Sequence, residues 1–374
     1  MREFAVPSGM RDLVLDEAKK KKVLQLEIEN RLDKWGYQEI MTPSIEFYRT
    51  YSVGFDDIRE EDLYKFFDDN GRILALKADM TIPIARVVAT KFKDSNETLR
   101  FRYCANVFKV HETLSGNKNE ITDCGVELIG VDKKTGDLEI LVTALDALQV
   151  VNSAKLTLEI GDVQFFQIAC EKANLTDEQS EKLGYLIDHK SLIELDDYLN
   201  EIDLPNQFKK FFSQMVWWNG DISIFKEVEK YAFDEKLIQI INRLRVLDKQ
   251  LASLGYKDII TYDLGKIGNL NYYTGLVFDA FVEGVGLRVM SGGRYDNLIK
   301  KYGIDLPAVG FSIKLDQLMN AFCYIDDSEE IVIEYGDEDL LEALKKRETF
   351  ENEERIILKL NSSLQGVIVK GEVS

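Results

Sequence analysis

Along residues 13–36 apolar side chains recur at helical spacing (Leu13, Val23, Leu24, Leu26, Ile28, Leu32), and the run stops at Gly36. That pattern predicts one long amphipathic helix with a glycine stop. Tyr37 to Thr42 predicts a short strand closed by Pro43. Residues 72–77 (RILALK), 101–110 (FRYCANVFKV) and 124–131 (CGVELIGV) have the β-rich, partly alternating character of strands. A helix is predicted over 136–150 and a further strand over 156–162 (LTLEIGD).

From about residue 163 to 250 the texture changes to helices with short breaks, ending in EKLIQIINRLRVLDKQLASLG. Trp217 and Trp218 read there as core aromatics. Strand patterns return at 259–264, 272–283 and 286–292, and a final helix is predicted from Ile313 to Phe322. The fold class is therefore α+β: an antiparallel sheet domain over residues 1–322, interrupted by a helical insertion. Residues 326–374 differ in texture, with fourteen Asp/Glu against six Lys/Arg. Strand-like IVIEY and GVIVKGEV flank a charged helix there, which predicts a small acidic C-terminal α/β element.

Composition narrows the picture. The 374 residues are 45% hydrophobic and 30% charged, as in a globular protein with a sizeable core. No apolar run is long enough to cross a membrane, and no signal-peptide core opens the chain. The cysteines Cys104, Cys124, Cys170 and Cys323 lie far apart and read as reduced thiols of a cytoplasmic protein. Neither His111 nor His189 has metal-ligand spacing around it, so no metal is expected. A net charge of −19 argues against nucleic-acid binding, which needs clustered cations. The run Lys19–Lys22, among Asp16, Glu17 and Glu27, reads as a solvated helix face.

Four segments resemble the histidyl-tRNA synthetase family, in the same order, over roughly residues 5–322. PSGMRD (7–12) with WGYQEIMTP (35–43) resembles the N-terminal segment and the dimer-forming motif 1. LYKFFDDNGRILALKADMT (63–81) is similar to the segment that presents an acidic residue to the amino group of histidine. NVFKVHETLSGNKNEITDCGVELIG (106–130) resembles motif 2. NLNYYTGLVFD (269–279), SGGRYDNL (291–298) and PAVGFSIKLDQL (307–318) resemble the histidine signatures and motif 3. The resemblance implies a class II aminoacyl-tRNA synthetase-like core.

The departures from that pattern are selective. Where the family has a phosphate-gripping Arg in motif 2 this chain has Lys109, which lacks the planar fork for bidentate oxyanion contact. His111 stands for the adenine-facing acid, Gln317 for the motif 3 Arg, Lys314 for a small residue, and Gly268 for the Arg that stabilises the activated carboxylate. Each lost donor commonly costs about 3–4 kcal/mol of transition-state stabilisation. The resemblance therefore implies that no catalytic residue set remains for adenylation.

The histidine side is largely kept. By resemblance, Asp79 faces the α-ammonium, Glu127 accepts from the imidazole, and Tyr273, beside Tyr272, supplies a hydroxyl. Asp123, where the family has Gln, adds acidic character, and Lys109 or Arg294 is left to meet the carboxylate. Read from the residues alone, Asp79 serves equally as a helix N-cap for 80–90. Glu127, in an apolar strand, needs either a ligand or a buried ion pair. His111 as a general base has no visible partner.

A branch of the family fits this selective loss: the non-catalytic regulatory subunit of short-form ATP phosphoribosyltransferase. By resemblance it assembles with a separate short catalytic subunit, activates it and carries feedback inhibition by histidine. A homodimer through the motif 1 region and the absence of a cofactor are implied as well. The alternative is a charging histidyl-tRNA synthetase. That family usually continues after motif 3 with a basic domain, which the acidic tail does not resemble.

Overall fold

The computed structural model describes residues 4–54, 60–95, 97–111, 118–151, 155–268, 272–325, 330–350 and 355–371. Residues 112–117 of the motif 2-like segment and 269–271 of the first histidine signature lie outside the described residues. The first half of the chain forms helix α1 (Leu15–Lys34), strands β1 (Gln38–Glu39) and β2 (Ile45–Phe47), and helix α2 (Tyr48–Gly54). Strands β3 (Lys65–Phe67) and β4 (Ile73–Leu76), helix α3 (Thr81–Lys91), strands β5 (Leu99–Phe108) and β6 (Glu120–Ile129), helix α4 (Lys133–Leu148) and strand β7 (Leu156–Asp162) follow. The helical stretch holds α5 (Val163–Lys172), α6 (Asp177–Asp188), α7 (Leu192–Glu201), α8 (Asn206–Met215), strand β8 (Asn219–Gly220), α9 (Phe225–Val228) and α10 (Glu235–Ser253). Strands β9 (Ile260–Asp263), β10 (Leu276–Val282) and β11 (Met290–Arg294), helix α11 (Leu298–Lys301), strand β12 (Ala308–Lys314) and the one-turn helix α12 (Leu315–Leu318) complete the large unit.

Leu24, Ile28 and Leu32 of α1 recur every four residues and are buried, so one stripe of the helix packs inward. The helix ends where expected: Gly36 takes φ +78° and donates its N–H to Asp33 O at 2.9 Å. Lys21 departs from the solvated-face reading, because its ammonium lies 3.3 Å from the Asp316 carboxylate.

Among the described residues, nine strands form one sheet in the order β1-β5-β6-β12-β11-β10-β7-β9-β8. It is antiparallel except at two pairs, β1 with β5 and β7 with β9, which are parallel, so the sheet is mixed. A second sheet, β2-β4-β3, is wholly antiparallel. Two expectations about elements need correcting. The predicted strand over 37–42 is only Gln38–Glu39. Ile313 and Lys314, assigned to a final helix, instead finish β12, which is locked between β11 and β6. The ladder of a central strand outweighs the helical spacing of IKLDQL.

Side-chain expectations also change. Trp217 is 61% exposed, whereas Trp218 is buried. Cys104 and Cys124, far apart in sequence, are direct cross-strand partners on β5 and β6 and form a disulfide; Cys170 is a buried free thiol. Among the described residues, no helix is long and apolar enough to cross a membrane.

Residues 323–374 form a separate compact unit from residues 1–322. In it, β13 (Glu330–Tyr335), α13 (Leu340–Arg347) and β14 (Arg355–Leu360) make a parallel βαβ unit, and β15 (Val367–Lys370) pairs antiparallel with β13. Ile331, Ile333 and Ala343 form its core. Strand β14 had no counterpart in the sequence reading.

Candidate functional site

Side chains alternate along a strand, so Asp123, Gly125 and Glu127 of β6 share one face. Register carries that face across the sheet. Lys314, Ser312 and Gly310 of β12 lie opposite these three, Ser291 and Gly293 of β11 come next, and Asp279 and Val277 of β10 follow. Together they floor a cavity of about 970 Å³. Close approach requires two of the glycines: a Cβ on Gly310 would fall 2.0 Å from Glu127 Oε2, and one on Gly293 would fall 2.6 Å from the Tyr273 ring.

All six residues singled out for histidine line this one cavity: Asp79, Lys109, Asp123, Glu127, Tyr272 and Tyr273. His111, Gly268 and Lys314 line it too, whereas Gln317 does not. The cavity thus gathers most of the departures from the synthetase pattern along with the positions that follow it.

Glu127 is 2% exposed and, among the described residues, has no cation hydrogen-bonded or ion-paired to it. Thr81 donates its hydroxyl to Oε1 at 2.7 Å, and the Tyr295 hydroxyl donates to Oε2. Burial pushes the carboxyl up to about 8, against these two hydrogen bonds. Among the described residues, the structural ion pair weighed in the sequence is therefore not formed. Asp79 precedes the Met80 N-cap of α3; its Oδ1 accepts from the Ile82 N–H in the first turn at 2.8 Å, and the same carboxylate lines the cavity. Burial raises it to about 6. Tyr272 stacks on Tyr295, ring centroids 5.4 Å apart, and meets Tyr273 edge-on at 4.7 Å. These rings shape the wall between the two acids.

Asp123 is not a bare acid. Lys314 Nζ lies 3.1 Å from each of its carboxylate oxygens. Arg294, considered for the substrate carboxylate, is fully buried and does not line the cavity. It donates to Asp137 at 2.7 Å, to Asp296 at 3.0 Å, and to the carbonyls of Val131 and Asp132. Four of its five donors are committed to structure. His111 lines the cavity with its ring pKa lowered, by burial first and then by Lys109. That environment favours the neutral imidazole.

Two cations that sequence reasoning missed stand on the Gly268 side. Lys266 pairs with Asp279 at 2.6 Å and Glu159 at 2.9 Å, while Arg288 reaches Asp279 only at 3.4 Å and is 59% exposed. Lys109 makes no ion pair among the described residues. Arg288 and Lys109 are thus the cavity's two loosely held cations. No local motif marks Arg288; only the β10–β11 register brings it here. Among the described residues, no group of three or more His, Cys, Asp or Glu side chains is placed to hold a metal ion.

Comparison with known proteins places the chain in a family. A family model described as histidyl-tRNA synthetase matches residues 9–318. An ATP phosphoribosyltransferase regulatory subunit of Acetivibrio thermocellus is 38% identical, over 84% of this chain and 75% of that protein. One from Bacillus cereus is 33% identical, over 96% of this chain and 87% of that one. A crystal structure described as an ATP phosphoribosyltransferase regulatory subunit/histidyl-tRNA synthetase, from Bacillus halodurans, superposes with a TM-score of 0.85 at 27% identity, covering 97% of this chain and 94% of its own. The chain belongs to the ATP phosphoribosyltransferase regulatory subunits, a family built on the histidyl-tRNA synthetase fold.

Proposed function

We propose that this chain binds free histidine in the cavity, activates a short-form ATP phosphoribosyltransferase catalytic subunit, and makes that subunit sensitive to histidine. One observation carries the reading. Glu127 is a buried acid held by two hydroxyl groups and, among the described residues, by no cation, and it lines the cavity together with Asp79. A buried carboxyl without a cation is costly unless a ligand uses it, and an imidazole N–H with an ammonium is the ligand chemistry two such acids fit. In the same cavity Lys314, in place of a small residue, adds bulk and pairs with Asp123. That disfavours a charging enzyme.

In this reading Asp79 takes the α-ammonium, Glu127 and Tyr273 take the imidazole, Tyr272 packs against the ring wall, and Asp123 acts through its pair with Lys314. Lys109 and Arg288 are the cations available to the carboxylate. Histidine binds one state of the assembly more tightly than the other, and the catalytic subunit reads out the shift. The chain works in the cytoplasm without a cofactor, does not bind nucleic acid, and forms a homodimer through the motif 1 region within a larger hetero-oligomer.

The test is to measure turnover of a short ATP phosphoribosyltransferase subunit with and without this chain, and with histidine added. The chain alone is silent, the mixture turns over faster, and histidine suppresses the gain. A catalytic subunit equally active and equally histidine-sensitive without the chain overturns the proposal.

A further inference from the structure

A second recess, about 600 Å³ in volume, lies where α5, α10 and the start of α4 converge. Its polar lining differs in sign from the chain as a whole, which carries −19. Lys133, Arg243 and Lys236 face it, with Glu171 the one acid among the lining residues. The Lys133 ammonium has no carboxylate among its hydrogen-bond partners. It donates to two neutral oxygens, Gln164 Oε1 at 3.2 Å and Thr274 O at 3.1 Å. The charge that acts on it most strongly is another cation, Arg243. Arg243 forms an ion pair with Asp162, whose side chain is wholly buried and whose Oδ1 also caps α5 through the Gln164 N–H at 3.0 Å. A guanidinium has five donors, so one carboxylate leaves several for a ligand.

Two cations side by side in a half-buried recess repel each other, and an oxyanion between them removes that penalty. We propose that this recess is a binding site for the phosphoryl group of a small molecule, held by Lys133 and Arg243 with Lys236 at the mouth. Asp162 already balances Arg243, so a phosphoryl group would meet the charge of Lys133 and the remaining guanidinium donors, and the volume admits a molecule as large as a nucleotide. The recess and the first cavity share a wall. Lys133 holds the carbonyl of Thr274, and Gln167 Nε2 approaches the carbonyl of Tyr273 at 3.5 Å.

Calorimetric titration of the full chain with inorganic phosphate, pyrophosphate and ADP tests the proposal. Saturable binding of pyrophosphate is expected. Lys133→Met and Lys236→Glu should each weaken it by about tenfold, the loss of one charge-assisted contact. Lys236 is exposed, so its variant folds whatever the fate of the other. Phosphate binding as tightly as pyrophosphate identifies a single-phosphoryl site, and tighter ADP binding identifies a nucleotide. No saturation with any of the three overturns the proposal. So does affinity unchanged in both variants, or affinity lost in Lys109→Met instead, which would place the anion in the first cavity.

Discussion

Lys314 and Asp123 face each other across β12 and β6, and the ammonium lies 3.1 Å from both carboxylate oxygens. Each departs from the synthetase pattern, and each accounts for the other: an acid at 123 in a buried strand needs a cation, and the neighbouring strand supplies it. Asp123 is 7% exposed and Lys314 21%, so the pair is partly screened and weaker than a fully buried one. Lys314→Met strands the acid and should lower the unfolding free energy by about 2 kcal/mol. Asp123→Asn with Lys314→Met removes both charges and should recover most of that loss. Urea titrations of the three proteins decide it; a double variant no better than the single one means the two charges are not coupled.

Glu127 sets a second expectation. Its folded pKa, about 8, is raised above the ordinary 4.5 by burial. A raised acid favours the protonated form in the fold, so its stabilising contribution is complete below about 4.5 and is lost as pH climbs towards about 8. Glu127→Gln stays neutral throughout. The stability of ligand-free wild type relative to Glu127→Gln should therefore fall steadily from pH 5 to pH 8 and level off above. Denaturant midpoints at several pH values test this, and a difference that stays flat with pH means Glu127 titrates normally.

Much of the architecture was legible because burial on one or both strand faces writes itself into the residue pattern. The run 156–162 coincides with β7, and the long helix stops at Gly36 as its φ requires. Asp123 fell just outside the strand read at 124–131, and its sharing a face with Glu127 follows from β6 starting at Glu120. What failed depends on register between distant segments. Cys104 meets Cys124 only through the β5–β6 pairing, Arg294 is buried by Asp137, which lies 157 residues away, and Lys266 and Arg288 converge on Asp279 from separate segments. Trp217 shows the remaining gap: apolar character alone does not say which face of a helical break meets the core.

Gly310 offers a test of the floor itself. It lies opposite Glu127 in the register, and a Cβ there would sit 2.0 Å from Oε2 and 2.5 Å from the Val126 carbonyl. The carbonyl is main chain and cannot swing away. Gly310→Ala should cost about 1–3 kcal/mol in overpacking and displace the Glu127 carboxylate, weakening histidine binding in calorimetry. Unchanged stability would show that β12 can move off β6 at this point.

The last expectation concerns what meets the histidine carboxylate. Gly268 leaves that corner without the family's Arg, and Arg294 is spent on Asp137 and Asp296. Arg288 stands on the same side of the cavity, held by Asp279 at only 3.4 Å, a distance at which a guanidinium is easily drawn to a second carboxylate. Lys109 is the competing cation. Histidinol separates the roles, because it keeps the ring and the amine but has no carboxylate. Arg288→Gln should weaken histidine binding by about tenfold, as for one charge-assisted hydrogen bond, and leave histidinol affinity unchanged. If histidine weakens only in Lys109→Met, the carboxylate points to motif 2. If both variants weaken histidine and histidinol equally, the effect is general electrostatics, and neither cation is the partner.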